Sequence, residues 1–185
     1  MSLDASSSTI GLAILEQKGN KIKLIHHDYW KPPKDGTLFE RLSTIKSWFI
    51  KQLNKWNPNE FVIEDIIQHL KKGSGANTII LLAILNRTIC LTYYEQRNKH
   101  PNLLNVMKIR HKLKFDKDLP SKEDIPELVA KHLGISFPWY TRTIKKTGEE
   151  KIRQESYDVA DAIAVGLAFI KIQSSESAKQ PKLRK

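Results

Sequence analysis

Apolar and polar positions divide the chain into short segments of period two and longer ones of helical spacing. The opening SLDASSSTIGLAIL, residues 2–15, is a short strand ending on Asp4, then hydroxyl residues and a glycine, then a second apolar strand, the pattern of a hairpin. Residues 10–16 and 21–30 read as two strands joined by Lys18, Gly19 and Asn20, so a three-stranded meander is expected. Thr37 and Glu40 form a capping-box pattern ahead of Leu38, Leu42, Ile45, Phe49 and Leu53, which share one face of a helix to about residue 56. EFVIED at 60–65 reads as a buried strand ending in acids, 77–97 as a helix, and 103–109 as a fifth strand. Residues 121–133 read as a helix with Pro126 in its first turn, and 156–172 as the last helix. A single domain is expected over 1–172, with a polar, disordered basic tail at 173–185. The order of elements predicts an α/β domain with a mixed sheet, and there is no internal repeat.

The helix at 77–97 carries a second message. Residues 79–85, IILLAIL, are consecutively apolar and cover the whole circumference for nearly two turns. One face covers the sheet, and the other is expected to meet either neighbours in the same domain or a second copy of the chain in a homodimer, with Leu82 and Leu85 at the contact.

Composition narrows the partners. Thirty-one Lys and Arg against 20 Asp and Glu in 185 residues give a net charge of +11. That balance favours a polyanion, nucleic acid first and an anionic membrane surface second. No 18-residue apolar run is free of polar residues and the start lacks the order of a signal peptide, so a cytoplasmic protein, neither secreted nor in a membrane, is expected. The single cysteine, Cys90, allows no internal disulfide and reads as a buried thiol in an apolar helix. His26 and His27 point to opposite faces of a strand and have no partner at metal-ligand spacing, which argues against zinc.

Acids at the ends of apolar elements are the candidate chemistry. Asp4 ends the first strand, Glu64 with Asp65 ends the fourth, and Asp158 and Asp161 lie three apart on one face of the last helix. Each has a structural alternative: a turn cap for Asp4, an exposed strand end for Glu64, a helix-dipole pair for Asp158 and Asp161. Alternation turns Asp65 away from Glu64, toward solvent or a supporting role. If Asp4 and Glu64 end neighbouring parallel strands, their side chains converge at the carboxyl edge of the sheet. Crowded carboxylates raise one another's pKa, and divalent cations relieve the crowding. Mg²⁺ suits hard oxygen donors, and two such ions about 3.5–4 Å apart can clamp a phosphodiester for in-line hydrolysis.

These residues resemble the RuvC family of Holliday-junction resolvases, within the RNase H-like superfamily. LDASSSTIGLAIL is similar to the family's opening hairpin, with Asp4 followed by a turn and Gly11; FVIED to its Glu-bearing strand; DVADAIAVGLAF to its closing D-x-x-D-A helix. The resemblance implies an RNase H-like fold, a five-stranded mixed sheet with helices on both faces. It implies a Mg²⁺-dependent, structure-selective endonuclease that resolves four-way junctions by paired symmetric cuts, using two ions per site with Mn²⁺ as a substitute. The implied metal ligands and catalytic acids are Asp4, Glu64, Asp158 and Asp161, joined by Lys122, the opening Lys of SKEDIPELVAKHL, and by Lys112 as a second functional Lys. Ser6 stands where the family has a glycine and Ile67 where it has an aromatic residue at the crossover. Residues 137–155 read as an inserted basic hairpin. The expected DNA contacts are Arg110, Lys112, Lys114, Arg142, Lys145 and Lys146, which the alternative reading makes merely solvated faces. Trp139 and Tyr140 either stack on an unpaired base or anchor the hairpin. Competing functions are cleavage of forks, flaps or RNA–DNA hybrids on the same fold, and a non-catalytic nucleic-acid binding module.

Overall fold

The computed structural model describes residues 1–65, 75–115, 117–145 and 148–177. The opening becomes β1 (Ser2–Ala5), which returns as β2 (Ile10–Lys18) and, through Gly19 at φ +60°, as β3 (Lys21–Trp30). Ser6 closes the first turn: its amide and hydroxyl both donate to the Thr9 carbonyl, at 3.0 and 2.8 Å, and its oxygen accepts from the Thr9 amide. Asn57 and Asn98 are the non-glycine residues at positive φ among those described, so Ser6 turns the chain without needing a glycine's conformation.

The capping box forms as read, with Thr37 and Glu40 bonded reciprocally at the start of α1 (Leu38–Trp56). Ile45, Phe49 and Leu53 are its buried face. β4 (Val62–Glu64) follows, then α2 (Ala76–Arg97) and β5 (Asn102–Leu104). The sheet order is β3-β2-β1-β4-β5, antiparallel across the meander and parallel from β1 through β5.

Beyond Leu104 the structure departs from the pattern read in the sequence. The stretch 103–109 is not one strand: it leaves β5 at Leu104, and Asn105 accepts the Met107 amide at 2.7 Å to cap α3 (Val106–Leu113). Ile109 and Leu113, four apart, are buried on that helix. α4 begins later than expected, at Ile125, and runs to Leu133, with Pro126 tolerated in its first turn. The last helix, α5 (Glu155–Ser177), continues into the stretch read as a disordered tail. There the hydroxyls of Ser174 and Ser175 bond back to the carbonyls of Ile170 and Lys171, so polar side chains are satisfied within the helix. Residues 178–185 of the expected tail lie outside the described residues.

Two layers cover the sheet. Leu3, Ala5, Ile10, Leu12 and Ile63 pack against Phe49 and Leu53 of α1 and Leu85, Ile89 and Tyr93 of α2. On the other face Ala13 and Val62 meet α5, which is flanked by α3 and α4. By length and composition α2 could cross a membrane, yet its inner face, with buried Asn86 and Thr92, is packed in this domain. Leu85 belongs to that core and Leu82 is half-buried, so neither is the outward contact expected of them; Ile80 and Leu91, at 56% and 57% exposed, and Ile84 face outward.

The segment 137–155 carries a two-stranded antiparallel ribbon, β6 (Thr141–Thr143) and β7 (Glu150–Ile152). Its root is fixed to α5: Tyr140 and Ser156 exchange hydrogen bonds, and the Arg153 amide donates to the Tyr140 carbonyl.

α5 lies against bare backbone where it crosses the meander. A β-carbon at Gly11 would sit 2.1 Å from the Asp158 carbonyl oxygen, and one at Gly166 would sit 2.3 Å from Leu15 Cδ1 and 2.6 Å from Ser2 Oγ. At Gly11 the obstacle is helix backbone, which cannot swing aside. Gly11→Ala is therefore expected to displace the start of α5 and to cost about 3 kcal/mol or more. Chemical denaturation of the variant beside the parent checks this, and an unchanged midpoint would reject the close approach.

Candidate active site

Strand alternation and register bring the first two acids together. Ser2 pairs with Val62 and Leu3 with Ile63 across parallel β1 and β4, so Asp4 and Glu64 are the next step along adjacent strands. Leu3, Ala5 and Ile63 point into the α1–α2 layer, and Asp4 and Glu64 therefore face α5. Asp4 is also paired with Gly11 on β2, the residue against which the Asp158 backbone lies. Asp158 and Asp161, one helical turn apart, complete a cavity of about 520 Å³ lined by all four acids, with Asp65, Lys122 and Arg110 and an apolar rim that includes Ile79, Leu82 and Met107.

The four acids feel one another. Burial, and then the charges of Asp161, Glu64 and Asp158, hold the Asp4 carboxyl well above the usual range. Burial also raises Asp158, against the opposing Lys122 charge and a Thr9 hydroxyl bonded to its carboxylate. Asp161 is raised by burial in the same way, opposed by Lys122 and by the charge of Arg110. Lys122 Nζ lies 3.3 Å from Asp161 Oδ2. Burial alone would lower the Lys122 ammonium, but the charges of Asp161 and Asp4 outweigh it and leave the pKa raised. Among the described residues no three His, Cys, Asp or Glu side chains are closed into a ready-made metal cluster. The acids thus share a cavity and a field, with the Lys122 ammonium among them. The chemistry of this donor set, carboxylate oxygens that burial and mutual repulsion leave short of positive charge, fits a hard divalent ion.

A clamp holds the start of α5. Glu155 is 7% exposed, and its Oε1 pairs with Lys31 of the β3 end and, at 3.0 Å, with Arg153 of the ribbon root. Burial works to raise this carboxyl, yet the two cations and their hydrogen bonds bring it down to about 2. Arg153 also lies over the Tyr29 ring, at 5.4 Å. It serves the clamp, although it falls in the stretch read as a basic DNA contact.

The expected DNA contacts do not all gather here. Arg110 lines the cavity, while Lys112, on the same helix, donates to Ser175 at 2.6 Å, fourteen residues beyond Asp161 on α5, or about 21 Å along its axis. Lys112 is thus not at the acid cavity. Lys114 donates to the Lys117 carbonyl at 2.7 Å. Arg142 and Lys145 are exposed on the ribbon, whereas Lys146 lies outside the described residues, as does Ile67. Tyr140 anchors the ribbon, its hydroxyl 3.0 Å from His27 Nδ1 and its ring edge-on to Tyr29. Trp139 packs on Phe137 and Tyr157 and stays partly exposed.

Sequence reasoning missed Thr9, Lys31, Glu155, Asn86 and Arg87. Asn86 could have been found: it is a lone amide inside the apolar run IILLAILNRTICL, and such a group must be bonded when buried.

Fold and cavity together define an RNase H-like α/β domain with an acidic cavity at the carboxyl edge of its sheet. The family model described as crossover junction endodeoxyribonuclease RuvC matches residues 1–103, and the chain belongs to that family. Curated relatives include RuvC of Thermotoga petrophila, 27% identical over 99 residues that span 51% of this chain and 60% of that protein. RuvC of Thermosipho melanesiensis is 26% identical over 142 residues, 69% of this chain and 90% of that one. Among solved structures, Thermus thermophilus RuvC in complex with a Holliday junction substrate has TM-score 0.69 at 16% identity, covering 94% of each chain. The yeast mitochondrial Holliday junction resolvase has TM-score 0.68 at 13% identity, covering 96% of this chain and 80% of its own.

The raised Asp4 carboxyl links stability to pH in a fixed direction. The folded protein holds this proton more tightly than the unfolded chain, so stability falls as pH rises above the ordinary Asp value of 3.8. Asp4→Asn removes that loss. In metal-free buffer near pH 8 the variant is expected to melt a few degrees higher, on the order of 1 kcal/mol, and to lose most of the parent's stabilisation by added Mg²⁺. Thermal scans with chelator and with Mg²⁺ check both; a lower melting temperature in chelator would contradict the assigned strain.

Proposed function

We propose that this chain is a Mg²⁺-dependent, structure-selective DNA endonuclease that resolves four-way junctions. The observation that carries the reading is the convergence of Asp4, Glu64, Asp158 and Asp161 on one cavity beside Lys122 and Arg110, in a chain of the RuvC family. The relatives' names, crossover junction endodeoxyribonuclease, and the Holliday junction substrate held by Thermus thermophilus RuvC support the choice of substrate.

In this reading the four carboxylates hold two ions. Bound Mg²⁺ supplies Lewis acidity toward the scissile phosphate, the attacking water and the departing 3′ oxygen, and Mn²⁺ can substitute. The chain's own residues do the rest. Thr9 orients the Asp158 carboxylate through its hydroxyl. Lys122, whose raised pKa keeps it charged at neutral pH, acts as a fixed positive charge near the phosphate rather than as a proton carrier, which would need a pKa near the working pH. Arg110, Arg142 and Lys145 neutralise backbone phosphates, giving affinity that falls steeply with salt and is indifferent to sequence.

A junction carries paired strands related by two-fold symmetry, and an isologous dimer would offer each a site. The outward stripe of Ile80, Ile84 and Leu91 on α2 supports a homodimer through that helix.

Incubation with a labelled four-way junction in Mg²⁺ is expected to give nicks placed symmetrically about the crossover, with an RNA–DNA hybrid cut more slowly. Asp4→Asn, Glu64→Gln, Asp158→Asn and Asp161→Asn should each reduce cutting by a hundredfold or more while mobility-shift binding persists. Preferential cutting of the hybrid, or retained cutting in two of these variants, would overturn the assignment. Ile80→Asp with Leu91→Asp should convert a dimer to a folded monomer in sedimentation, with uncoupled nicks; an unchanged sedimentation coefficient would reject the α2 interface.

A further inference from the structure

α2 meets the acid-bearing end of β4 at one polar point. Asn86 is 0% exposed, and its Nδ2 donates to the Glu64 carbonyl at 2.9 Å. Its Oδ1 accepts from Arg87 Nη1 at 2.9 Å, and Arg87 Nη2 reaches Asp65 Oδ1 at 3.0 Å. The Asp65 amide in turn donates to the Leu104 carbonyl of β5 at 2.8 Å. One amide and one guanidinium therefore grip two successive residues from the α2 side, while alternation sends the Glu64 side chain the other way, toward Asp4.

Packing alone does not call for an amide here. An apolar residue at position 86 would match its neighbours Leu85 and Ile89, but it would leave the Glu64 carbonyl without this partner. Only a planar, forked cation can bond the amide oxygen and the carboxylate together, which is what Arg87 does and a lysine would not. The grip is spent where the geometry of a ligand matters: a displacement of about 1 Å at such a group can cost a hundredfold in rate.

We infer that Asn86 and Arg87 are positioning residues, which act through the Glu64 carbonyl and the Asp65 carboxylate to hold the Glu64 side chain in register with Asp4 for divalent-ion binding. The inference rests on the metal-dependent reading above. It separates the roles of the adjacent acids: Glu64 faces the ion site, and Asp65 fixes the strand end that carries it.

Calorimetric titration of Mn²⁺ and Mg²⁺ into the full chain tests this without requiring turnover. Arg87→Ala and Asp65→Asn are each expected to weaken ion binding about 10-fold or more, with little further loss when combined, because they break one contact. Arg87→Lys should restore less than half of the loss. In junction cleavage the same variants should need correspondingly more Mg²⁺ to reach half-maximal rate and recover at high Mg²⁺, with junction binding unchanged. If Arg87→Ala does not fold, Arg87→Lys carries the test, because Asp65 lines the cavity and its charge acts on an ion directly. Wild-type ion affinity in the variants, or additive losses, would overturn the inference while leaving the function intact. A parent protein that binds no divalent ion would overturn the proposed function and the inference with it.

Discussion

Like charges resist being gathered, and the arrangement around the acid cavity is organised by how that resistance is overcome. Two acids come from the sheet and two from α5, and the distance between them is set by contact of helix backbone with Gly11. No side chain intervenes there, so the helix comes as near to β1 and β2 as its own atoms allow. Gly166 repeats the device further along, beside Ser2 and Leu15, and the small buried Ala162, one turn before it, shares that face of α5. Packing energy distributed along this helix opposes a repulsion concentrated at one end of it. The clamp of Glu155 with Lys31 and Arg153 acts at that same end, fixing the first turn of α5 to β3 and to the ribbon.

The two faces of the central strands divide the labour. Leu3, Ala5 and Ile63 bury into α1 and α2, and their immediate neighbours Asp4 and Glu64 look the other way. Because the period of a strand is two, a slip of one residue would send the acids into the apolar layer and turn Leu3 and Ile63 toward α5 and the cavity. The core therefore enforces the register of the acids, and Leu3 and Ile63, on the far face of the sheet from the cavity, help fix where its oxygens are.

Much of this was legible in the chain. The strand alternation around Asp4, the Thr37–Glu40 box and the three-residue spacing of Asp158 and Asp161 are local signals, and local contacts decide them. Where local signals compete, or where distant contacts decide, the sequence misled. Residues 103–109 look like a strand because Leu103, Leu104, Val106 and Ile109 are apolar, and one asparagine cap converts half of them into a helix. Lys112 reads as a functional Lys by its place in the chain, but on α3 its ammonium donates to Ser175, far along α5 from the acids. The apolar girdle of α2 cannot reveal which side is inner. Leu85 and Ile80 are indistinguishable as residues, and the position of the sheet alone separates them.

Net charge is a count of cations, and geometry subtracts from it. Of the residues behind the value of +11, Arg87, Arg153, Lys31 and Lys122 are engaged with carboxylates, and Lys112 and Lys114 with a hydroxyl and a carbonyl. Arg142, Lys145 and Lys151 stand exposed on the ribbon, tied through Tyr140 and Ser156 to the helix that carries Asp158 and Asp161. A polyanion drawn to the ribbon would be drawn to a body rigidly joined to half of the acid set. In the proposed reading the same helix start would bear both an attraction for phosphate and the carboxylates that repel it, and a cation between the two would turn the repulsion into an attachment.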